Sequence, residues 1–170
     1  PDKTIDGLYA FTDCEMSISP NSCVIEDDQP KFMAISDQLQ RAADRTKEML
    51  RMELEIRKGE LEETWHFASL EKIFIEKRIY RDIEECETWE AIIKTIHKGL
   101  KPHVGHLLRK VTDEDVARLT EIRIKRISKF DGFKADEKIL ALEGDIEEVK
   151  KNLSTLTEYA IAYFKDIKAR

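Results

Sequence analysis

The chain has 170 residues, enough for one ordinary core or for a small head on a long stalk. Charged residues make up 38% against 41% hydrophobic, with only 6 Gly and 4 Pro, a balance that disfavours a compact α/β domain and favours long helices with solvated outer faces. The formal net charge of −6 argues against wholesale duplex binding, whose affinity comes largely from cations that displace counterions, so any DNA contact is expected to be local.

Three cysteines, Cys14, Cys23 and Cys86, are an odd number without a CxxC pair, which argues against a zinc knuckle or a disulfide framework and fits a reducing cytoplasm. No apolar run approaches the roughly 20 residues that cross a bilayer, and Pro1-Asp2-Lys3 does not resemble a signal peptide, so a soluble protein without membrane partners is expected. The beginning lacks start-of-domain character and reads as a piece of a longer chain.

Residues 1 to about 35 hold most of the turn formers, including Ser19-Pro20-Asn21-Ser22 and Asp27-Asp28-Gln29-Pro30, with Cys23-Val24-Ile25 as a short strand between them. Irregular or strand-and-loop structure is expected there. Ser36 offers a helix N-cap, and from Asp37 to about Ser69 no Pro occurs and Gly59 is the only weak point, so one long helix is predicted. Its stripe runs through Leu50, Leu54, Leu61, Trp65 and Ala68, with Arg57 interrupting.

Residues 70 to about 133 alternate short apolar stretches with breaks at Gly99, Pro102, Gly105, Thr112-Asp113 and Asp131-Gly132, the punctuation of a small helical head. Thr112-Asp113-Glu114-Asp115 ahead of Val116 and Leu119 reads as a capped helix start with acids in the first turn. Ile139, Leu142, Ile146, Val149, Leu153, Leu156, Ala160, Tyr163 and Ile167 then follow at alternating spacings of three and four, a heptad seam for a helix on the order of 40 Å long.

Such a seam must be buried against another helix. The simplest solution is an antiparallel coiled coil within the chain, in which the first long helix leads out, the head reverses direction and the last helix returns. A parallel homodimeric zipper through 139–167 competes, but leaves the first stripe uncovered. The fold class predicted is mainly α: a long antiparallel two-helix coiled coil with a small globular dimerisation head and a short irregular or β segment at the N-terminus.

Several residues invite chemical readings. His103 and His106 supply two ligands only, beside Pro102 and Gly105, and no metal site is assigned. Arg123, Lys125, Arg126 and Lys129 alternate with Ile122, Ile124 and Ile127, which makes a half-buried amphipathic segment a better account than a nucleic-acid patch. No plausible nucleophile, acid–base pair or cofactor loop is present, so an independent enzyme is not expected and no catalytic residue is assigned.

Local motifs carry a resemblance along nearly the whole chain. Tyr9-Ala10-Phe11-Thr12-Asp13-Cys14-Glu15 with Ser17-Ile18-Ser19, Asp44-Arg45-Thr46-Lys47-Glu48 with Arg51 and Glu53 to Arg57, Val111 to Leu119, and Glu121 to Phe130 followed by Leu142-Glu143 are the segments concerned. They resemble the tower, outgoing helix, "L-T-E-x-Q-A-x-A-I-L" helix, following segment and returning helix of the breakage-reunion (A-type) subunit of bacterial type IIA DNA topoisomerases, topoisomerase IV or gyrase. Asp131 stands where the family's segment closes on Glu, and residues 81–109, with Cys86, Trp89, Pro102, His103 and His106, fit the gyrase-like pattern poorly.

The resemblance implies residues 1–38 as a tower remnant, 39–69 as the outgoing coiled-coil helix, 70–133 as the dimerisation head of the exit gate, and 134–170 as the returning helix. Leu119, Ile122, Ile124, Ile127 and Phe130 are assigned to the core of this head and its twofold seam, and the apolar stripes supply a coiled-coil seam of Leu54, Leu61, Ile139, Leu142, Ile146, Val149, Leu153 and Leu156. Lys3, Lys31 and Arg41 are the residues placed to touch DNA backbone. The family's nucleophilic tyrosine follows an arginine in an upstream domain. Tyr9, Tyr80, Tyr159 and Tyr163 do not match it.

Implied partners are a second copy through the head, the topoisomerase's B-type subunit in an A2B2 enzyme, and double-stranded DNA, in a cytoplasmic, nucleoid-associated setting. ATP and magnesium are implied for the full enzyme through the B-type subunit, and no cofactor for this chain. The alternative is a cytoplasmic coiled-coil adaptor whose 139–167 helix zippers with a partner. That reading explains the heptads but not the other motifs.

Overall fold

A computed structural model describes the chain except for residues 17, 20, 27, 85, 124, 126, 128 and 129. The fold is mainly α, as the composition requires, with six helices and one small sheet among the described residues. It divides into two compact units, Pro1–Thr46 and Lys47–Arg170.

The first unit opens with α1 (Asp2–Phe11), a correction to the irregular structure expected there. Ile5, Leu8 and Tyr9 give it a short apolar face at helical spacing, but one turn pair is too little to stand out from the turn formers that follow. Strands β1 (Cys23–Glu26) and β2 (Gln29–Phe32) form an antiparallel hairpin in which Glu26 faces Gln29, and Asp28 takes the positive φ of 61° that so tight a reversal demands. Glu26 gathers the ammonium of Lys31 at 2.6 Å and the guanidinium of Arg41. No described residue of this unit is buried.

Helix α2 (Ile35–Glu76) begins two residues ahead of the predicted Asp37, with Ser36 inside its first turn rather than at the cap, and runs seven residues past Ser69. Gly59 does not break it. In its final turns Leu70, Ile73, Phe74 and Ile75 are all buried, and continued helix satisfies their backbone inside a core. Arg78, in left-handed conformation at φ 55°, ends the run and turns the chain into a 3-10 turn at Ile79–Arg81.

The second unit's core forms where that end of α2 meets Ile79, α3 (Trp89–Leu100; Ile96, Leu100) and α4 (Asp113–Thr120; Val116, Leu119). Helix α3 is capped by the Thr88 hydroxyl, and α4 by a complete capping box in which Thr112 and Asp115 satisfy each other's backbone. The predicted breaks at Pro102, Thr112-Asp113 and Asp131-Gly132 all fall at element ends. Gly99 does not break α3 but lies inside it, where the helix passes close to Ile79.

The chain returns as α5 (Gly132–Ser154) and α6 (Leu156–Ala169), two helices where the unbroken heptads predicted one. The interruption has a local cause. Ser154 Oγ and Thr155 Oγ1 both donate to the carbonyl of Lys151, at 2.7 and 3.0 Å, beside the Thr155 amide at 3.0 Å, and Thr155 leaves helical geometry at ψ 42°. Side-chain hydroxyls competing for helix carbonyls bend helices in this way, which no hydrophobic period reveals.

A Cβ built at Gly99 would lie 2.9 Å from Ile79 Cγ2, inside any normal contact. Gly99→Ala is expected to lower stability by about 1 kcal/mol, because overpacking of roughly 1–3 kcal/mol outweighs the helix propensity gained. Urea unfolding followed by circular dichroism measures it, and a raised midpoint would show that Ile79 can step aside.

Candidate functional site

Among the described residues, side-chain links join α2 to the returning helices at Lys47 Nζ to Thr157 Oγ1, 2.9 Å, Glu62 Oε1 to Lys150 Nζ, 3.9 Å, Trp65 Nε1 to Glu143 Oε1, 3.0 Å, and Lys72 to Asp136. As the α2 partner advances, the other retreats, so the helices run antiparallel. Buried Leu50, Leu54 and Trp65 on α2, and Ile146, Val149 and Ala160 opposite, fall between or beside these links.

Of the seam residues named from the sequence, Leu54, Ile146 and Val149 are buried and Leu61, Ile139, Leu142, Leu153 and Leu156 half-buried. Tyr163 and Ile167, at the far end of the stripe, are exposed. In the head, Leu119 lies within the core, while Ile122, Ile127 and Phe130 pack against that core from its edge. Ile124 lies outside the described residues. Lys3 is exposed on α1, whereas Lys31 and Arg41 are engaged with Glu26.

Between the two regions is a polar cluster that sequence reasoning missed. Asp115, only 2% exposed, receives Arg109 in a bidentate grip, Nη1 to Oδ2 at 2.6 Å and Nη2 to Oδ1 at 2.8 Å. It also accepts from the Thr112 amide at 2.9 Å and hydroxyl at 3.0 Å. Arg109 Nη2 reaches on to Glu63 Oε2 on α2 at 2.8 Å, and Arg118, lying 4.2 Å over the Phe67 ring, donates to Glu63 Oε1 at 2.8 Å. One guanidinium therefore ties α2 to α4.

His66, 1% exposed, completes the cluster, with Nε2 3.5 Å from Asp115 Oδ2 and neither ring nitrogen in a hydrogen bond among the described residues. Burial pushes its pKa below the ordinary histidine value, Arg109 adding to the effect against the pull of Asp115 and Glu63. For Asp115 burial acts upward, but the bonds from Arg109 and Thr112 outweigh it and hold the carboxyl well below the carboxylate range. Thr112-x-x-Asp115 was legible as a cap; its pairing with Arg109, from the loop before it, carries no local signature.

Because the folded pKa of Asp115 is depressed, its contribution to stability is present above the unfolded value of about 3.9 and lost as pH falls through the folded one. Asp115→Asn should flatten that acid limb in urea titrations from pH 5 downward, and an unchanged limb would remove Asp115 as its source. Arg109→Ala should cost about 3 kcal/mol, the low end for breaking a buried pair since the guanidinium is partly solvated.

Comparison with known proteins places these elements in a family. The family model for the A-type subunit of DNA gyrase/topoisomerase IV matches residues 1–167. The A-type subunit of DNA topoisomerase 4 from Borreliella burgdorferi is 32% identical over 161 residues, a span that takes in 95% of this chain and 26% of the relative. The chain thus spans about a quarter of that relative's length. The match runs through the helices that the motifs of the sequence singled out, and the chain belongs to the family of DNA gyrase/topoisomerase IV A-type subunits.

Proposed function

We propose that the chain is the arm and exit-gate head of a type IIA topoisomerase's breakage-reunion subunit, without a catalytic residue of its own. Its work is mechanical: one duplex is cleaved elsewhere in the enzyme, a second is passed through, and two copies joined at the head part to release it. The observation that carries this reading is the antiparallel return of α5 and α6 along α2, with the head closed on its own core between them. A helical pair that leads out to a compact knob and back supports a coiled-coil arm bearing a terminal contact surface.

On this reading the arm is made of 39–69 and 134–170 and the gate of 70–133, with Leu119 spent on the head's core. The seam with the second copy falls to its edge residues Ile122, Ile127 and Phe130, to Ile124, and to large apolar side chains that the head leaves in solvent, among them Trp89 at 53%, Leu108 at 55% and Phe133 at 81% exposure. Residues 1–38 are the tower remnant. Having no buried core, they need the rest of the full-length protein to pack on, since a lone hairpin is marginal in water. Contacts of Lys31 and Arg41 with DNA phosphate require both to leave Glu26; Lys3 needs no such exchange.

ATP and magnesium enter through the B-type subunit, and the enzyme relaxes or decatenates DNA in the cytoplasm. Among the described residues no helix is long and apolar enough to cross a membrane. The adaptor reading is not favoured, because the family match covers the head and the first unit as well as the heptads.

Light scattering of the chain tests the proposal. A dimer is expected, and Trp89→Asp with Leu108→Asp, both at exposed positions, should turn it into a monomer of unchanged helicity. A wild type monomeric at every concentration would contradict the gate. A dimer indifferent to the head changes but lost with Val149→Asp and Leu156→Asp would establish the intermolecular zipper instead.

A further inference from the structure

Nothing in strand passage calls for a buried histidine where α2 meets α4. The seat of His66 is nevertheless unusual. The ring is 1% exposed, lies 3.5 Å from a carboxylate that is already fully engaged, and has neither nitrogen in a hydrogen bond among the described residues. With its single polar neighbour, Asp115 Oδ2, at the 3.5 Å limit of an interaction, the imidazole forgoes most of the bonds it would make in water, so the ring is held mainly by packing.

The charged groups near it among the described residues include Glu62 and Glu63 of its own helix, Arg109 of the preceding loop, and Asp115 of α4. Glu62 is drawn toward Lys58 and Lys150, and Glu63 toward Arg109 and Arg118. Asp115 is held by Arg109 and the Thr112 cap. Each acid near the ring thus already has a cation or donors of its own. A positive charge added at His66 would have to draw one away, beside the Arg109 guanidinium.

We propose that His66 is an acid-operated latch at the root of the head: with the imidazole neutral, α4 and the 104–112 loop are clamped on α2, and uptake of a proton unseats the ring and loosens them. A cleft of about 210 Å³ lined by Gly59, Glu62, Glu63, His66, Leu108 and Arg109 supplies the route by which water reaches the ring. The depressed pKa fits the direction. A group that binds its proton more weakly when seated than when free withdraws stability from the seated state as pH falls below the free value of about 6.5, and the withdrawal is complete below the seated value. The latch rests on the packing around His66 alone and holds whether or not the head is a gate.

The test combines NMR titration of the His66 ring with amide hydrogen exchange of α4, in the wild-type chain and in His66→Gln, between pH 8 and pH 5. His97, whose Nε2 lies 2.8 Å from Asp113 Oδ1 at the start of α4, is retained in both proteins, so the difference between them isolates His66. Protection of α4 in the wild type should fall by up to about tenfold for each pH unit below 6.5 and level off at the midpoint of His66 itself, while the variant stays flat. Equal falls in both proteins, or a His66 midpoint at or above 6.5, overturn the latch. Should the variant not fold, the wild type decides alone, because the fall in protection must level off at the His66 midpoint.

Discussion

Asp115 is a carboxylate with 2% of its surface left to water, and an ionised group taken that far from solvent must be matched oxygen by oxygen or it neutralises. Here the match is complete. Arg109 covers both oxygens, and Thr112 supplies an amide and a hydroxyl to one of them. Satisfying the charge fixes three things at once: where α4 begins, where the loop before it must pass, and how both stand against α2, since the same guanidinium continues to Glu63. The apolar core of the head is assembled on the positions that this polar corner sets.

The helices of the second unit follow a related logic. A narrow apolar stripe tolerates sliding by a heptad, so something other than hydrophobicity has to choose the register. The indole of Trp65 is buried with its N–H aimed at Glu143, a contact that only one alignment of α2 and α5 allows. The pairs Lys72 with Asp136 and Glu62 with Lys150 fit the same alignment. Each surface pair contributes at most about 1 kcal/mol, so their role is selection among alignments more than stabilisation. The break at Thr155 falls between the links made by Lys150 and Thr157.

What the sequence made legible was whatever has a period or a cap. The start of α2, the capped start of α4, the hairpin strand at Cys23 and the seam through Ile146 and Val149 all rest on interactions within a few residues of one another, and local reasoning reaches them. Helix α1 escaped because one turn pair of apolar residues carries too little signal. The Thr155 break escaped because hydroxyl competition leaves the hydrophobic period intact. His66 and Arg109 escaped for a deeper reason. Their partners lie on other elements, and a histidine inside an apolar stretch or an arginine before a cap has no spacing that announces it.

The composition of the corner between α2 and α4 bears on why it is polar at all. A buried ion pair returns little net stability over an apolar pair of equal volume, because desolvation cancels most of the attraction. The stability of the head therefore rests on Leu70, Phe74, Ile96, Leu100, Val116 and Leu119, while the Asp115 network contributes geometry. Removing one partner leaves the other buried and uncompensated, so displaced placements of the loop, which part Arg109 from Asp115, are penalised. A head carried on a long helix holds its orientation better through such a joint than through an apolar one, which could slide at little cost.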